Sequence, residues 1–186
     1  MTRELDGVRV AIVLDTNFEQ SEMTEPRKAF EDAGARCVLI SAQKEVTGVK
    51  HDEKKETFKV DESLENARPE DYDALLIPGG ALNADTLRVN PKAQEFVKTF
   101  ESEQKPMAVI CHGPWLLVSA GVAKGRRLTS YHTIQDDLRN AGAMWEDREV
   151  IVDGNLVTSR QPTDLPAFNR EAIKLFAERT KTRRAA

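Results

Sequence analysis

Four residues in succession, Cys111-His112-Gly113-Pro114, follow directly on the apolar run Met107–Ile110. If that run is a buried strand, the chain turns sharply at Cys111. Gly113 permits the tight backbone, and Pro114 is pre-shaped for the first turn of a helix. This is the logic of a nucleophile elbow, in which a reactive side chain is presented on a strand-to-helix turn above the sheet. A thiol in that position meets the partial positive charge of a helix N-terminus, which favours thiolate and so nucleophilicity. The alternative is a small buried cysteine packing at a strand end. That reading suits Cys37, which opens its own apolar run and has no helix end to face. His112 is either a base or a residue that holds the turn by hydrogen bonds.

Two further segments carry groups that could act on the same centre. Pro78-Gly79-Gly80 follows the run Ala74–Ile77, and its side-chain-free backbone offers amides to an oxyanion, although a plain turn explains the same residues. Asp15-Thr16-Asn17-Phe18-Glu19-Gln20-Ser21-Glu22 follows the first apolar run. Its three acids argue against a flavodoxin-like phosphate-binding loop, which uses hydroxyls and amides without local negative charge. A carboxyl group near Cys111 has another use. Protonated, it donates a hydrogen bond to the thiolate; ionised, it repels it. The alternative for Glu22, and more so for Glu19, is an acid that favours the start of the following helix.

The elements that must position these groups are legible as alternation. Val8–Leu14, Cys37–Ile40, Ala74–Ile77 and Met107–Ile110 are short continuous apolar runs, as expected of parallel strands covered on both faces. Helical spacing lies between them: Met23–Ala33 closed by Gly34, a segment opened by Asn90-Pro91 with Phe96, Val97 and Phe100 on one face, Pro114–Ala120, and Thr133–Ala141. Strand and helix in turn imply a doubly wound α/β sheet, since the chain is too short for eight barrel units. Ligands of such sheets sit beyond the carboxyl ends of the strands, where all three segments fall. Val46–Val60, with its polar middle, is expected as an exposed hairpin or flap on the sheet edge. Asp153-Gly154-Asn155 marks a second hairpin, and a final helix is expected from about Asp164.

Composition narrows the classes. At 186 residues and 20.8 kDa, with 40% hydrophobic residues, the chain can build one domain with a substantial core. No apolar run reaches the ~18 residues needed to span a bilayer, and the first residues lack the pattern of a secretory signal, so the cytoplasm is expected. A net charge of −4 and a pI near 5.5 disfavour nucleic-acid binding. The one basic cluster, Lys181, Arg183 and Arg184, is expected in a frayed tail over 180–186. Two cysteines and three histidines, without Cys-x-x-Cys, suggest neither a structural disulfide nor a zinc site.

With these residues in hand, the chain resembles the PfpI-like family of intracellular proteases, general stress proteins and protein deglycases, in the class I glutamine amidotransferase-like superfamily. The resemblance runs through FEQSE at Phe18–Glu22, LLIPGG at Leu75–Gly80, AVICHGPWLLVSAG at Ala108–Gly121, TSY at Thr129–Tyr131 and VDGNLVTSRQPTDL at Val152–Leu165. It implies a flavodoxin-like three-layer sandwich and a cofactor-independent cysteine enzyme. Cys111 matches the nucleophile, His112 the adjacent histidine, and Glu22 the carboxyl that hydrogen-bonds the thiol. Backbone amides at Gly80 and His112 match the oxyanion site. Asp85 matches an acidic residue that in protease-type relatives orients the histidine from a neighbouring subunit, so a homodimer or higher oligomer is implied. Many relatives carry Glu there, and this chain has one more residue between the glycines and Asp85 than some of them.

Three functions follow from that resemblance. The leading one is a glyoxalase or deglycase acting on reactive dicarbonyls or their early protein adducts. The thiolate would add to an aldehyde carbon, and His112 or Glu22 would move a proton from the adjacent carbon before hydrolysis to a hydroxy acid. The others are a cysteine peptidase acting on peptides, and an oxidation sensor or holdase in which Cys111 chemistry ends at a sulfenic or sulfinic acid.

Overall fold

Along each central strand, alternate side chains enter two different cores. The computed structural model describes residues 3–185, and in it Val10 and Ile12 face one side of the sheet while Ala11 and Val13 face the other. Ala74 and Leu76 alternate with Leu75 and Ile77 in the same way, as do Ala108 and Ile110 with Met107 and Val109. This two-residue period with both faces apolar is what a parallel sheet between helical layers requires.

The elements in chain order are β1 (Arg9–Val13), β2 (Phe18–Glu19), α1 (Gln20–Asp32), β3 (Arg36–Ser41), β4 (Glu45–Lys50), β5 (Glu53–Lys59), β6 (Glu62–Ser63) and β7 (Ala74–Ile77). There follow α2 (Ala81–Arg88), α3 (Pro91–Ser102), β8 (Met107–Ile110), α4 (Pro114–Ser119), β9 (Arg127–Leu128), α5 (Gln135–Asn140) and β10 (Met144–Trp145). The chain closes with β11 (Val150–Asp153), β12 (Leu156–Ser159) and α6 (Leu165–Ala185). The main sheet has the order β11-β12-β8-β7-β1-β3-β6, parallel throughout except for the antiparallel edge pair β11–β12. α1 and α6 cover one face, where the rings of Phe30 and Phe176 lie 5.1 Å apart. α2 to α5 cover the other, with Phe96, Val97, Phe100, Leu116 and Leu138 buried against the sheet. The three-layer, flavodoxin-like α/β sandwich is therefore as the sequence implies.

Local chemistry sets the boundaries. Asn90 Oδ1 accepts from the Lys92 amide at 2.9 Å and caps α3, whose first residue is Pro91. Three expectations need correction. The β4–β5 hairpin does not extend the main sheet; it pairs with β2 in a separate three-stranded sheet, so it lies over the end of β1 rather than on an outer edge. The helix expected from Thr133 begins as a 3-10 turn, His132–Ile134, before α5. Of the tail expected to fray over 180–186, residues 180–185 are helical and Arg183 lies 3.7 Å from Glu103, while Ala186 falls outside the described residues. The Arg184 side chain falls outside the described residues. Among the described residues no helix is long and apolar enough to cross a membrane.

Candidate active site

The three segments marked in the sequence converge at the carboxyl ends of β1, β7 and β8. Cys111 follows directly on β8 with φ of 64°, a left-handed conformation that a non-glycine residue holds only under constraint. The constraints are visible. The Cys111 amide donates to Ser159 O at 3.0 Å, and its carbonyl accepts from the Tyr131 amide at 2.8 Å. A Cβ at Gly113 would come within 3.0 Å of Ile110 O, Val109 Cγ1 and Ile77 O, so the turn needs glycine there. The result is a sharp elbow whose cysteine lines an open cavity of about 720 Å³.

Glu22 sits in the first turn of α1, fully buried, and accepts from the Gly79 amide through Oε2 at 2.9 Å. A Cβ on Gly79 would lie 2.5 Å from Glu22 Oε2 and 3.0 Å from Cys111 Sγ. The carboxyl and the thiol thus flank one point that the missing side chain leaves open. No hydrogen bond of ordinary geometry reaches Glu22 Oε1, yet the thiol is close enough to couple with the carboxyl. Burial pushes the Glu22 carboxyl up to about 8, against the lowering effects of Cys111 and the Gly79 amide, so it carries a proton at neutral pH.

The electrostatics of Cys111 differ from the sequence expectation. Burial pushes the thiol well up, and a charged Glu22 pushes it the same way, while the backbone N–H groups of Gly80 and His112 pull it down. The short α4 does not outweigh burial. Because Glu22 holds its proton, however, the repulsive charge is absent at neutral pH. Thiol and carboxyl then titrate as one coupled pair. Cys37 has no such neighbours: burial first, then the charge of Glu31, pushes it up to about 12, and it does not line the cavity.

His112 lies between sulfur and hydroxyl. Its Nδ1 is 3.2 Å from Cys111 Sγ and its Nε2 is 3.3 Å from Thr133 Oγ1. Its ring stacks on Tyr131 at 4.9 Å and meets Trp115 edge-on at 5.7 Å. Burial and the neighbouring His132 push the imidazole down, which keeps it neutral and able to accept a proton. Asp85 is elsewhere, exposed on α2 and not among the residues lining the cavity.

Glu19 does more than start a helix. Its Oε2 accepts from the His51 amide at 2.9 Å and fastens the β4–β5 hairpin over the site, helped by paired hydrogen bonds between Gln20 and Glu56. Val49, Lys50, His51 and Lys55 thereby wall the cavity, facing Gln161–Thr163 across it. Sequence reading also missed Asn83, whose Nδ2 donates to Pro78 O and Gly79 O and whose Oδ1 accepts from the Asp15 amide, tying the glycine turn to the end of β1. Nothing in the spacing of Asn83 or Thr133 marks them, since each acts through a contact far along the chain.

The whole arrangement lies within residues 8–175, which match the model of the DJ-1/PfpI family. The chain belongs to the DJ-1/PfpI family. It is 45% identical to general stress protein 18 of Bacillus subtilis, over 91% of this chain and 98% of that one. It is 42% identical to the deglycase PfpI of Pyrococcus furiosus, over 91% and 99%. Among solved structures, a two-domain protein from Anabaena variabilis with DJ-1/ThiJ/PfpI-like and ferritin-like domains superposes with a TM-score of 0.85 at 31% identity, covering 90% of this chain. This chain spans 47% of that protein. In DJ-1/PfpI terms, the resemblance noted in the sequence extends over nearly the full fold.

Glu22→Gln tests the protonated carboxyl. The raised value means that the folded state keeps a proton which the unfolded state releases above about 4.5, so this group's contribution to stability falls as pH rises toward 8. Gln removes the dependence. The variant should gain on wild type, by roughly 2–5 kcal/mol in total, between pH 4.5 and 8. Thermal melts at pH 5 and pH 9 read it directly; a variant-minus-wild-type difference that does not change with pH means Glu22 is ionised throughout.

Proposed function

We propose that the protein is a cytoplasmic stress-response enzyme of glyoxalase or deglycase type, acting through Cys111 on reactive dicarbonyls or their early adducts with protein amines and thiols. The observation that carries this reading is the juxtaposition at Cys111 of an imidazole nitrogen at 3.2 Å, the fully buried Glu22 carboxyl and the backbone amides of Gly80 and His112. The names of its relatives, a deglycase and a general stress protein, point the same way. A cavity of about 720 Å³ also has room for far more than a three-carbon dicarbonyl, which favours adducts carried on amino-acid side chains.

In this mechanism His112 Nδ1 takes the thiol proton and the thiolate adds to the aldehyde carbon. The oxygen of the resulting hemithioacetal is stabilised by the amides of Gly80 and His112, with the Glu22 proton at hand. Glu22, having given its proton to that oxygen, takes the proton from the carbon bound to sulfur and returns it to the neighbouring carbonyl carbon, while the hydroxyl proton passes to the second oxygen, giving a thioester. Water hydrolyses the thioester, frees the thiol and releases the hydroxy acid. These steps use only side chains, backbone amides and water.

Product analysis tests the reading. Wild-type protein given methylglyoxal should form lactate at a rate that prior alkylation of Cys111 abolishes, and given small peptides in a separate assay it should leave them uncleaved. Peptide cleavage without lactate would indicate a peptidase instead, and neither product would indicate a sensor. Assembly belongs to the same proposal: a homodimer through the outer face of α2, where Leu82 and Val89 are 64% and 72% exposed on either side of Asp85. Sedimentation should show a dimer that Leu82→Lys dissociates, and a wild-type monomer would contradict it.

A further inference from the structure

We infer that Thr133 is a positioning residue, whose hydroxyl accepts from His112 Nε2 and thereby leaves Nδ1 free to take the Cys111 proton. The inference rests on the cysteine chemistry proposed above and adds a residue to it. A neutral imidazole carries one N–H, and which nitrogen holds it is set by the hydrogen bond made at the other. Among the described residues the two nitrogens have one hydrogen-bond partner each: Cys111 Sγ at Nδ1 and Thr133 Oγ1 at Nε2.

With the hydrogen on Nε2, pointed at Oγ1, the Nδ1 lone pair faces the sulfur. The S–H bond then breaks as an Nδ1–H bond forms, and sulfur keeps the electron pair. The ring becomes an imidazolium whose Nε2–H still rests on the hydroxyl. With the hydrogen on Nδ1, the ring could only donate to sulfur and could not act as the base.

The ring has little freedom to choose otherwise. Tyr131 stacks on it with an interplanar angle of 29° and Trp115 meets it at 60°. Trp115 is itself held by Nε1 donating to Asp137 at 2.8 Å, with the Arg88 guanidinium over its ring. The titratable groups around the imidazole are Cys111 and, behind it, Glu22, with Tyr131 and His132 on the other side. Among the described residues no carboxylate is hydrogen-bonded to His112. Asp85, the acid that the family resemblance offers for this task, is exposed on α2 away from the cavity. Thr133 fills the role inside one subunit because the 3-10 turn His132–Ile134 follows directly on Tyr131, whose amide is bound to the Cys111 carbonyl.

The test compares Thr133→Val, Thr133→Ser and Asp85→Asn in the full-length protein, with two readouts that need no turnover. One is the rate at which iodoacetamide alkylates Cys111 at neutral pH; the other is the nitrogen NMR signature of the His112 tautomer. Wild type should show the Nε2–H form. Thr133→Val should shift it toward Nδ1–H and slow alkylation about tenfold, the scale of one hydrogen bond to a group that becomes charged. Thr133→Ser should restore both. A wild-type Nδ1–H tautomer overturns the inference even if Thr133→Val does not fold. So does a Thr133→Val protein indistinguishable from wild type; if Asp85→Asn then alters both readouts, the orienting group comes from a neighbouring subunit. Failure of the deglycase reading looks different: a reactive, Thr133-dependent thiol that forms no lactate.

Discussion

Gly80→Ala is expected to lower the melting temperature by roughly 5–15 °C and to remove most of the activity that survives. Gly80 holds φ of 92°, outside the range an L side chain adopts without strain. Space is lacking as well. A Cβ there would stand 2.6 Å from Asn17 O, 2.7 Å from the Glu19 nitrogen and 2.8 Å from Phe18 Cα. These are backbone atoms, so no side chain can swing aside and the segment 17–19, which leads into the helix carrying Glu22, must move. Overpacking and the strained backbone each cost about 1–3 kcal/mol. The displaced residue also supplies an amide that faces the sulfur, and losing one such donor costs about 100-fold or more in turnover. Gly121→Ala separates the two causes. Gly121 has φ of 75° but nothing within 4 Å of its added Cβ, so only the conformational cost of about 1 kcal/mol should appear. Equal losses in the two variants, read by thermal melts, would show that the crowding at Gly80 has no effect.

Cys111→Ser should leave the fold intact and reduce lactate formation from methylglyoxal by about three orders of magnitude or more. Serine is nearly the same size, and the elbow's hydrogen bonds are made by backbone atoms. The loss comes from chemistry. A hydroxyl gives up its proton far less readily than a thiol, and burial, which pushes the His112 imidazole down, makes it a weaker base for that task. Retained activity in Cys111→Ser, with the protein confirmed free of wild type, would assign catalysis to another group.

The elbow, the glycine turn and the acidic loop were all legible in the sequence because each depends on local chemistry. Gly113 and Pro114 shape a turn wherever they occur after a buried strand, and alternating apolar runs predict the sheet that brings the three strand ends together. What stayed hidden depends on distance along the chain. Thr133 meets His112 across 21 residues, and Asn83 meets Asp15 across 68. The β4–β5 hairpin is legible as a hairpin, but its place over the cavity follows from β2 pairing and from the Glu19 bond to His51, which no local pattern signals. The direction of the thiol's shift was also hidden. The helix end is visible in sequence, but the depth of burial that outweighs it appears only when the layers close over Cys111.

The most direct test of the account is to find its covalent intermediate. Wild-type protein mixed with methylglyoxal, quenched in acid within its first turnovers and digested, should carry the mass of one methylglyoxal on the Cys111 peptide and none on the Cys37 peptide. The increment should disappear as lactate accumulates and the substrate is exhausted. Lactate formed with no adduct on Cys111 at any quench time, or with the adduct on Cys37, would contradict the assignment of Cys111 as the nucleophile.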